Sequence, residues 1–281
     1  NSVRSFFFKI VIILYVIKKQ KLASYQMKTN IKVLFILLFH FNTSAQQNNL
    51  PFKKGEKLDY KIHYGPITAG IASLEIDTLA NKYKFIANGE SNRLFSLFFE
   101  VKDIYESIVD KKSLCPNQFY RNVKEGGYKK IENVFFNHKL KQAETTMDTI
   151  PIPENPQDIL SIFYYLRTQN YDSLTVEDSI PIQVYLDDNF INSELYYLGN
   201  ESIKTKFGWI ATKKWAPKLE TGRIFKDENG MNIWITDDEN KIPIKIKTKV
   251  LVGAIEFDLI KYSGLKEPLK FNKNNKQPIE N

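Results

Sequence analysis

From Leu58 onward, apolar residues recur at every second position, and this period of two is the strongest constraint on what the chain can fold into. Leu58, Tyr60, Ile62 and Tyr64 share one face of a strand, while Lys57, Asp59, Lys61 and His63 share the other. Gly65-Pro66 breaks the run. Ala72, Leu74 and Ile76 then alternate after Gly70, and Tyr83, Phe85 and Ala87 carry a third strand. Connections this short cannot cross over to a parallel neighbour, so the start of the sheet is predicted to be an antiparallel meander.

The pattern continues with one interruption. Leu94 to Phe99, LFSLFF, departs from alternation and reads as a short helical turn or a buried bulge. Strands are predicted at 101–109, 118–124, 128–137 and 139–147. Beyond the proline-rich stretch Pro151 to Pro156, one helix is predicted, with Asn155 as N-cap, Pro156 first and Asp158 in the first turn. Ile159, Ile162, Phe163 and Leu166 give it an apolar stripe that should lie against the sheet. Strands return around Ile180 to Leu186. Met231 to Thr236, Ile242 to Val250 and Ala254 to Tyr262 are predicted to form a three-strand meander. Its turns are expected at Asp227-Glu228-Asn229-Gly230 and Asp237-Asp238-Glu239-Asn240. The expected fold is mainly β: a large twisted antiparallel sheet or partly closed barrel with one amphipathic helix packed against it.

Residues 27–45 read as a secretory signal. Lys28 and Lys32 precede the apolar run Val33 to Phe39, and Thr43-Ser44-Ala45 places small side chains before Gln46. The run is shorter than the roughly 20 residues of a spanning helix, which favours cleavage near Ala45 over anchoring. No cysteine follows it, so the lipid-attached form is not expected. Residues 1–26 precede the first methionine, Met27, and are expected to be translated upstream sequence; a membrane helix over Phe6 to Ile17 is the alternative. Residues 46–264 are expected to form a single β-rich domain, followed by a polar, disordered tail at 265–281.

The formal charge of +8 belongs to the leader. Seven of the 40 Lys and Arg residues and none of the 32 Asp and Glu residues lie before Gln46, which leaves 33 basic against 32 acidic. Nucleic acid is therefore excluded as an expected partner. The local cluster Lys204, Lys206, Lys213, Lys214 and Lys218 reads as a solvated face. A single cysteine, Cys115, rules out an internal disulfide, so stability must come from burial, with 20 Phe and 15 Tyr available as filling.

Catalytic motifs are missing. His63 and His138 are too few for a histidine zinc site, and HExxH, CxxC and GxSxG do not occur, so no metal, cofactor or catalytic residue is expected. Asp187-Asp188 and Asp237-Asp238 read as turn chemistry rather than acid-base pairs. Tyr60, Tyr64, Tyr83, Phe85, Trp209, Trp215 and Trp234 either line a concave sheet or, for most of them, fill the core.

Three ordered stretches resemble the exported bacterial proteins of the Domain of Unknown Function 3108 family. They are Gly55-Glu56-Lys57-Leu58-Asp59-Tyr60 with Tyr64-Gly65 and Ala69-Gly70; Gln157 to Ser161 with Tyr164-Tyr165-Leu166-Arg167; and Trp234 to Pro243 with Val252-Gly253. Similarity spans about 52–262. The resemblance implies an envelope or periplasmic address in Gram-negative bacteria and a partly closed sheet, but no catalytic residues. Its glycines imply turns or close approaches, and its Arg167 a carboxylate partner.

The reading is then a non-enzymatic periplasmic module for an apolar or amphipathic ligand, a lipid or a glycan, soluble or peripheral to the envelope. One rival is a hydrolase or transferase on envelope glycans using Asp187, Asp237 or Glu56, which would need two of these carboxylates to converge. The other is a structural adaptor that recruits a partner strand at a sheet edge.

Overall fold

The computed structural model describes residues 50–218, 230–250 and 253–272. The leader (27–45), the segment before it and the turn expected over 227–230, apart from Gly230, lie outside the described residues. Among the described residues the fold is mostly β: one open, fifteen-stranded sheet with two short helices. Chain order is β1 (Lys57–Tyr64), β2 (Ile67–Leu79), β3 (Lys82–Ser91), α1 (Arg93–Ser96), β4 (Val101–Asp110), β5 (Pro116–Glu125) and β6 (Tyr128–Asn137). It continues with β7 (Gln142–Glu144), β8 (Thr149–Pro151), β9 (Gln157–Asp158), α2 (Ser161–Arg167), β10 (Ser179–Leu186), β11 (Asn189–Thr205) and β12 (Gly208–Pro217). β13 (Met231–Thr236), β14 (Pro243–Lys249) and β15 (Ala254–Ser263) complete it.

The first and last described strands meet in the middle of the sheet. β1 pairs antiparallel with both β2 and β15, so the spatial order runs β8 to β1, then β15 back to β9. Among the described residues every ladder is antiparallel, as expected, except β9 with β10, a two-residue parallel pair that makes the sheet mixed. The sheet curls until β9 returns against β4 and β5. Side chains make that contact: Ser107 Oγ donates to Asp158 Oδ2 at 2.5 Å, and Gln157 Nε2 donates to the Leu114 carbonyl at 3.1 Å.

Within the curl lies α2. Ile162 and Leu166 pack with Val184, Leu195 and Trp215, while Tyr164 from the other side of the helix packs with Phe52 and Phe85. An apolar environment on more than one side explains why five of its seven residues are buried. The helix begins later than expected. Asn155 has φ of 49°, and residues 157–158 are extended in β9. Asp158 does the capping instead, its Oδ1 accepting the N–H groups of Leu160 and Ser161 at 2.8 Å.

At 94–99 the short helical turn is found rather than the buried bulge, and at 265–272 the expectation changes. Leu94 to Phe99 contains α1, with Asn92 Oδ1 accepting Phe95 N–H at 2.8 Å, yet Leu94, Leu97 and Phe98 are exposed rather than buried. Within residues 265–272, expected in the polar tail, two positions are tied to the sheet. Leu269 is buried in the core, and Asn272 exchanges two backbone hydrogen bonds with Trp209 at 2.8 and 2.9 Å. Gly70 meets its expected role: a Cβ there would lie 2.2 Å from the Glu90 carbonyl oxygen across the β2–β3 ladder.

Candidate functional site

The concave face of the sheet and α2 enclose a cavity of about 200 Å³. Its wall comes from the alternating inward positions of the strands, among them Ala72 and Leu74 on β2, Ala87 on β3, Val184 on β10 and Ile233 and Ile235 on β13. Ile162, Phe163 and Leu166 of α2 close it on one side. Apolar side chains dominate because the same faces that alternate inward for the core continue past the helix without meeting across it.

Six polar residues border this wall, two of which, Asn88 and Ser73, face each other with Asn88 Nδ2 3.5 Å from Ser73 Oγ. Tyr60 Oη donates to the Pro243 carbonyl at 2.9 Å. Tyr105 is buried, which pushes its hydroxyl pKa well up. Arg167 is occupied: it makes a bidentate ion pair with Glu56, and its Nε donates to the Asn240 carbonyl at 3.0 Å. Lys241 is different. Its Nζ donates to the Gln169 carbonyl at 2.7 Å and stands 5.1 Å from the centre of the Tyr171 ring. Burial lowers its pKa, and Asp172 and Asp237 oppose that shift only through longer-range attraction.

A second feature is a charged cluster inside the curl, on β4, β5 and β6. Arg121 Nε lies 2.6 Å from Glu132 Oε2, and Arg121 Nη2 also pairs with Asp187. Lys130 Nζ donates to Asp187 Oδ1 at 2.9 Å, and Tyr185 Oη donates to Glu132 Oε1 at 3.0 Å. Asp187 and Asp188 both have positive φ, so the tight β10–β11 turn aims one carboxylate at Arg121. Nearby, burial first and the Glu125 carboxylate second push Asp103 up to about 9. Asp103 and Glu125 share a side-chain hydrogen bond, which adds to the upward shift. The sequence reading passed over Arg121, Glu132, Asp103 and Glu125. Their signal was phase: each falls on a strand position in register with buried apolar neighbours such as Val101, Val123 and Val134.

The three carboxylates of the glycan-hydrolase alternative are held by different cations. Glu56 pairs with Arg167, Asp187 with Arg121 and Lys130, and Asp237 with Lys213 at 2.8 Å. Of the aromatics, Tyr60 borders the cavity, Phe85 stacks on Tyr164, and Trp215 is fully buried between Tyr171 and Tyr197. Three lysines of the basic cluster are paired: Lys213 with Asp237, Lys214 with Glu201 and Lys218 with Glu194. His63 lies 3.7 Å from Asp258, and His138 Nε2 lies 2.8 Å from the Pro116 carbonyl. Cys115 is buried, which raises its thiol pKa. Among the described residues, none of the groups of His, Cys, Asp and Glu is arranged to hold a metal ion, and no helix is long and apolar enough to cross a membrane.

A family model described as "Protein of unknown function (DUF3108)" matches residues 59–260. No curated protein matches significantly. Among solved structures, a β-barrel-like protein of the domain of unknown function DUF1849 from Brucella abortus superimposes with a TM-score of 0.53 at 8% identity. The match covers 76% of this chain and 99% of that one. The hypothetical protein CT021 from Chlamydia trachomatis matches at a TM-score of 0.35 and 9% identity, over 83% of this chain and 98% of that one. At these identities the Brucella likeness shows the fold alone.

Proposed function

The chain belongs to the DUF3108 family of proteins of unknown function, and from that premise we propose that it is an exported envelope protein that holds an amphipathic ligand inside its curled sheet. The observation that carries this reading is the cavity between α2 and the sheet, whose wall is apolar except for a few fixed polar groups. Burial of each methylene of a ligand there is worth about 0.8 kcal/mol. The volume, about 200 Å³, is below the ~300–1,000 Å³ of sites for drug-sized molecules, which suits one acyl chain better than a bulky glycan.

Lys241 sets the polarity of the ligand. Arg167 is saturated by Glu56 and two carbonyls, whereas Lys241 offers donors to an anionic head at the cavity wall. A fatty-acid-like molecule meets both requirements. Export is supported by the leader at 27–45. The periplasm is the compartment this reading assigns.

Titration of the full chain with a fluorescent fatty acid, followed by displacement with oleate, tests the proposal. Saturable one-to-one binding is expected, with oleate displacing better than oleyl alcohol and Lys241→Gln removing that preference. Binding that does not saturate, or that Ala87→Phe in the cavity wall leaves unchanged, would refute it.

A further inference from the structure

The segment between β3 and β4 turns three large apolar side chains outward. Leu94, Leu97 and Phe98 are 74%, 77% and 89% exposed, while Phe95 and Phe99 pack inward against the core. This posture is built. Besides the Asn92 cap, Phe98 and Phe99 N–H donate to the Phe95 carbonyl at 3.0 and 2.9 Å, and Gly126 N–H donates to the Glu100 carbonyl at 2.7 Å. Asn92 also ties the loop to β2, its N–H donating to the Ala69 carbonyl at 2.9 Å and its side chain to Thr68. There Ile67 adds a fourth outward apolar side chain.

Cations gather at the base of this tip. Lys124 Nζ pairs with Glu100 at 2.7 Å. The Glu100 carboxyl is held below its ordinary range chiefly by Lys124, with Lys102 and Lys129 adding to the pull. Arg93, Lys102 and Lys129 are exposed, as are the acidic residues Glu90 and Glu100, so positive charge is in excess.

We propose that this tip docks the protein on an anionic lipid bilayer, with Leu94, Leu97 and Phe98 entering the acyl boundary while Arg93, Lys102 and Lys129 meet the headgroups. Exposed apolar side chains beside basic ones bind such interfaces through both buried area and charge attraction. Charge selects the bilayer over a second copy of this chain, because a two-fold contact through the tip would set the same cations face to face. None of the three outward side chains lines the cavity, so the site stands whether or not the cavity holds a ligand.

The test uses the full chain carrying Phe98→Cys, labelled with an environment-sensitive fluorophore. Val176→Cys, on a separate exposed loop, is the control, and the unsubstituted chain reports labelling of buried Cys115. With vesicles of phosphatidylethanolamine and phosphatidylglycerol, position 98 should shift to the blue and be quenched by nitroxide-bearing acyl chains, and position 176 should not. Phosphatidylcholine vesicles, high salt or the pair Lys102→Gln and Lys129→Gln should each weaken the signal several-fold. Absence of quenching at 98, equal quenching at both positions, or a shift that follows protein concentration without lipid would overturn the proposal.

Discussion

Arg167 at the end of α2 and Glu56 just before β1, 111 residues apart in sequence, form a fully buried bidentate ion pair with oxygen–nitrogen distances of 2.5 and 2.9 Å. The same guanidinium donates to the carbonyls of Asn240 and Pro51. Burial alone would lower the Arg167 pKa, and Glu56 more than offsets it. Three sequence stretches that carry the family resemblance thus converge on one side chain, which fixes α2 within the curl and so fixes one wall of the cavity.

Removing one partner should therefore cost more than removing both. Arg167→Met or Glu56→Gln is expected to lower unfolding free energy by about 3–5 kcal/mol, because a buried charge loses its partner. The double replacement by apolar residues should recover much of this. Urea melts of the single and double variants measure the coupling, and additive losses would show that the pair is not a unit.

Two buried acids give stability a defined pH dependence. Asp158 is pushed up to about 6 by burial, against hydrogen bonds from Ser107, Ser161 and Leu160, and Asp103 is pushed up to about 9. The native state then holds protons that the unfolded chain releases near pH ~4, so stability falls as pH rises from there through each native value. Asp187 works in the opposite sense. Burial raises its pKa, but Arg121 and Lys130 outweigh it, and this contribution disappears as pH falls below ~4. Asp103→Asn keeps a donor toward Glu125 and cannot ionise. Thermal melts from pH 5 to about 9 should show a flatter profile for this variant than for the unsubstituted chain; parallel profiles would remove Asp103 as the cause.

Gly70→Ala should be among the most damaging exposed-to-buried small changes in the sheet. The added methyl would lie 2.2 Å from the Glu90 carbonyl, whereas at Gly127 a Cβ meets nothing within 4 Å. A loss of about 2–4 kcal/mol is expected for Gly70→Ala and under about 0.5 kcal/mol for Gly127→Ala by chemical denaturation.

Cys115 should be nearly inert in the folded protein. It is buried, its Sγ contacts the Ser113 carbonyl at 3.6 Å, and desolvation disfavours the thiolate. Modification by a disulfide reagent is expected to follow global unfolding with denaturant, and rapid reaction in buffer would contradict the burial.

Much of the sheet was legible in the sequence, because β1, β4, β6 and β15 bury alternate residues and so print their period on the chain. The long β11–β12 hairpin was not. A register shift between Tyr197 and Gly199 changes which residues face inward midway along the strand. The start of α2 was misplaced because Asn155, Pro156 and Asp158 each carry an N-terminal signal, and only the Asp158 carboxylate is used. The cavity was barely legible, since of the seven aromatics read as a concave lining or as core only Tyr60 borders it. It depends on the helix sitting inside a curl closed by contacts such as Ser107 with Asp158, and such distant pairings leave no local pattern.

The most direct test of the central claim is the native mass spectrum of the protein purified from the cells that produce it, with the extracted ligand identified by lipid mass spectrometry. The account predicts one bound single-chain amphiphile per protein, lost on Ala87→Phe. A mass equal to the bare polypeptide, unchanged after incubation with excess fatty acid, would contradict it.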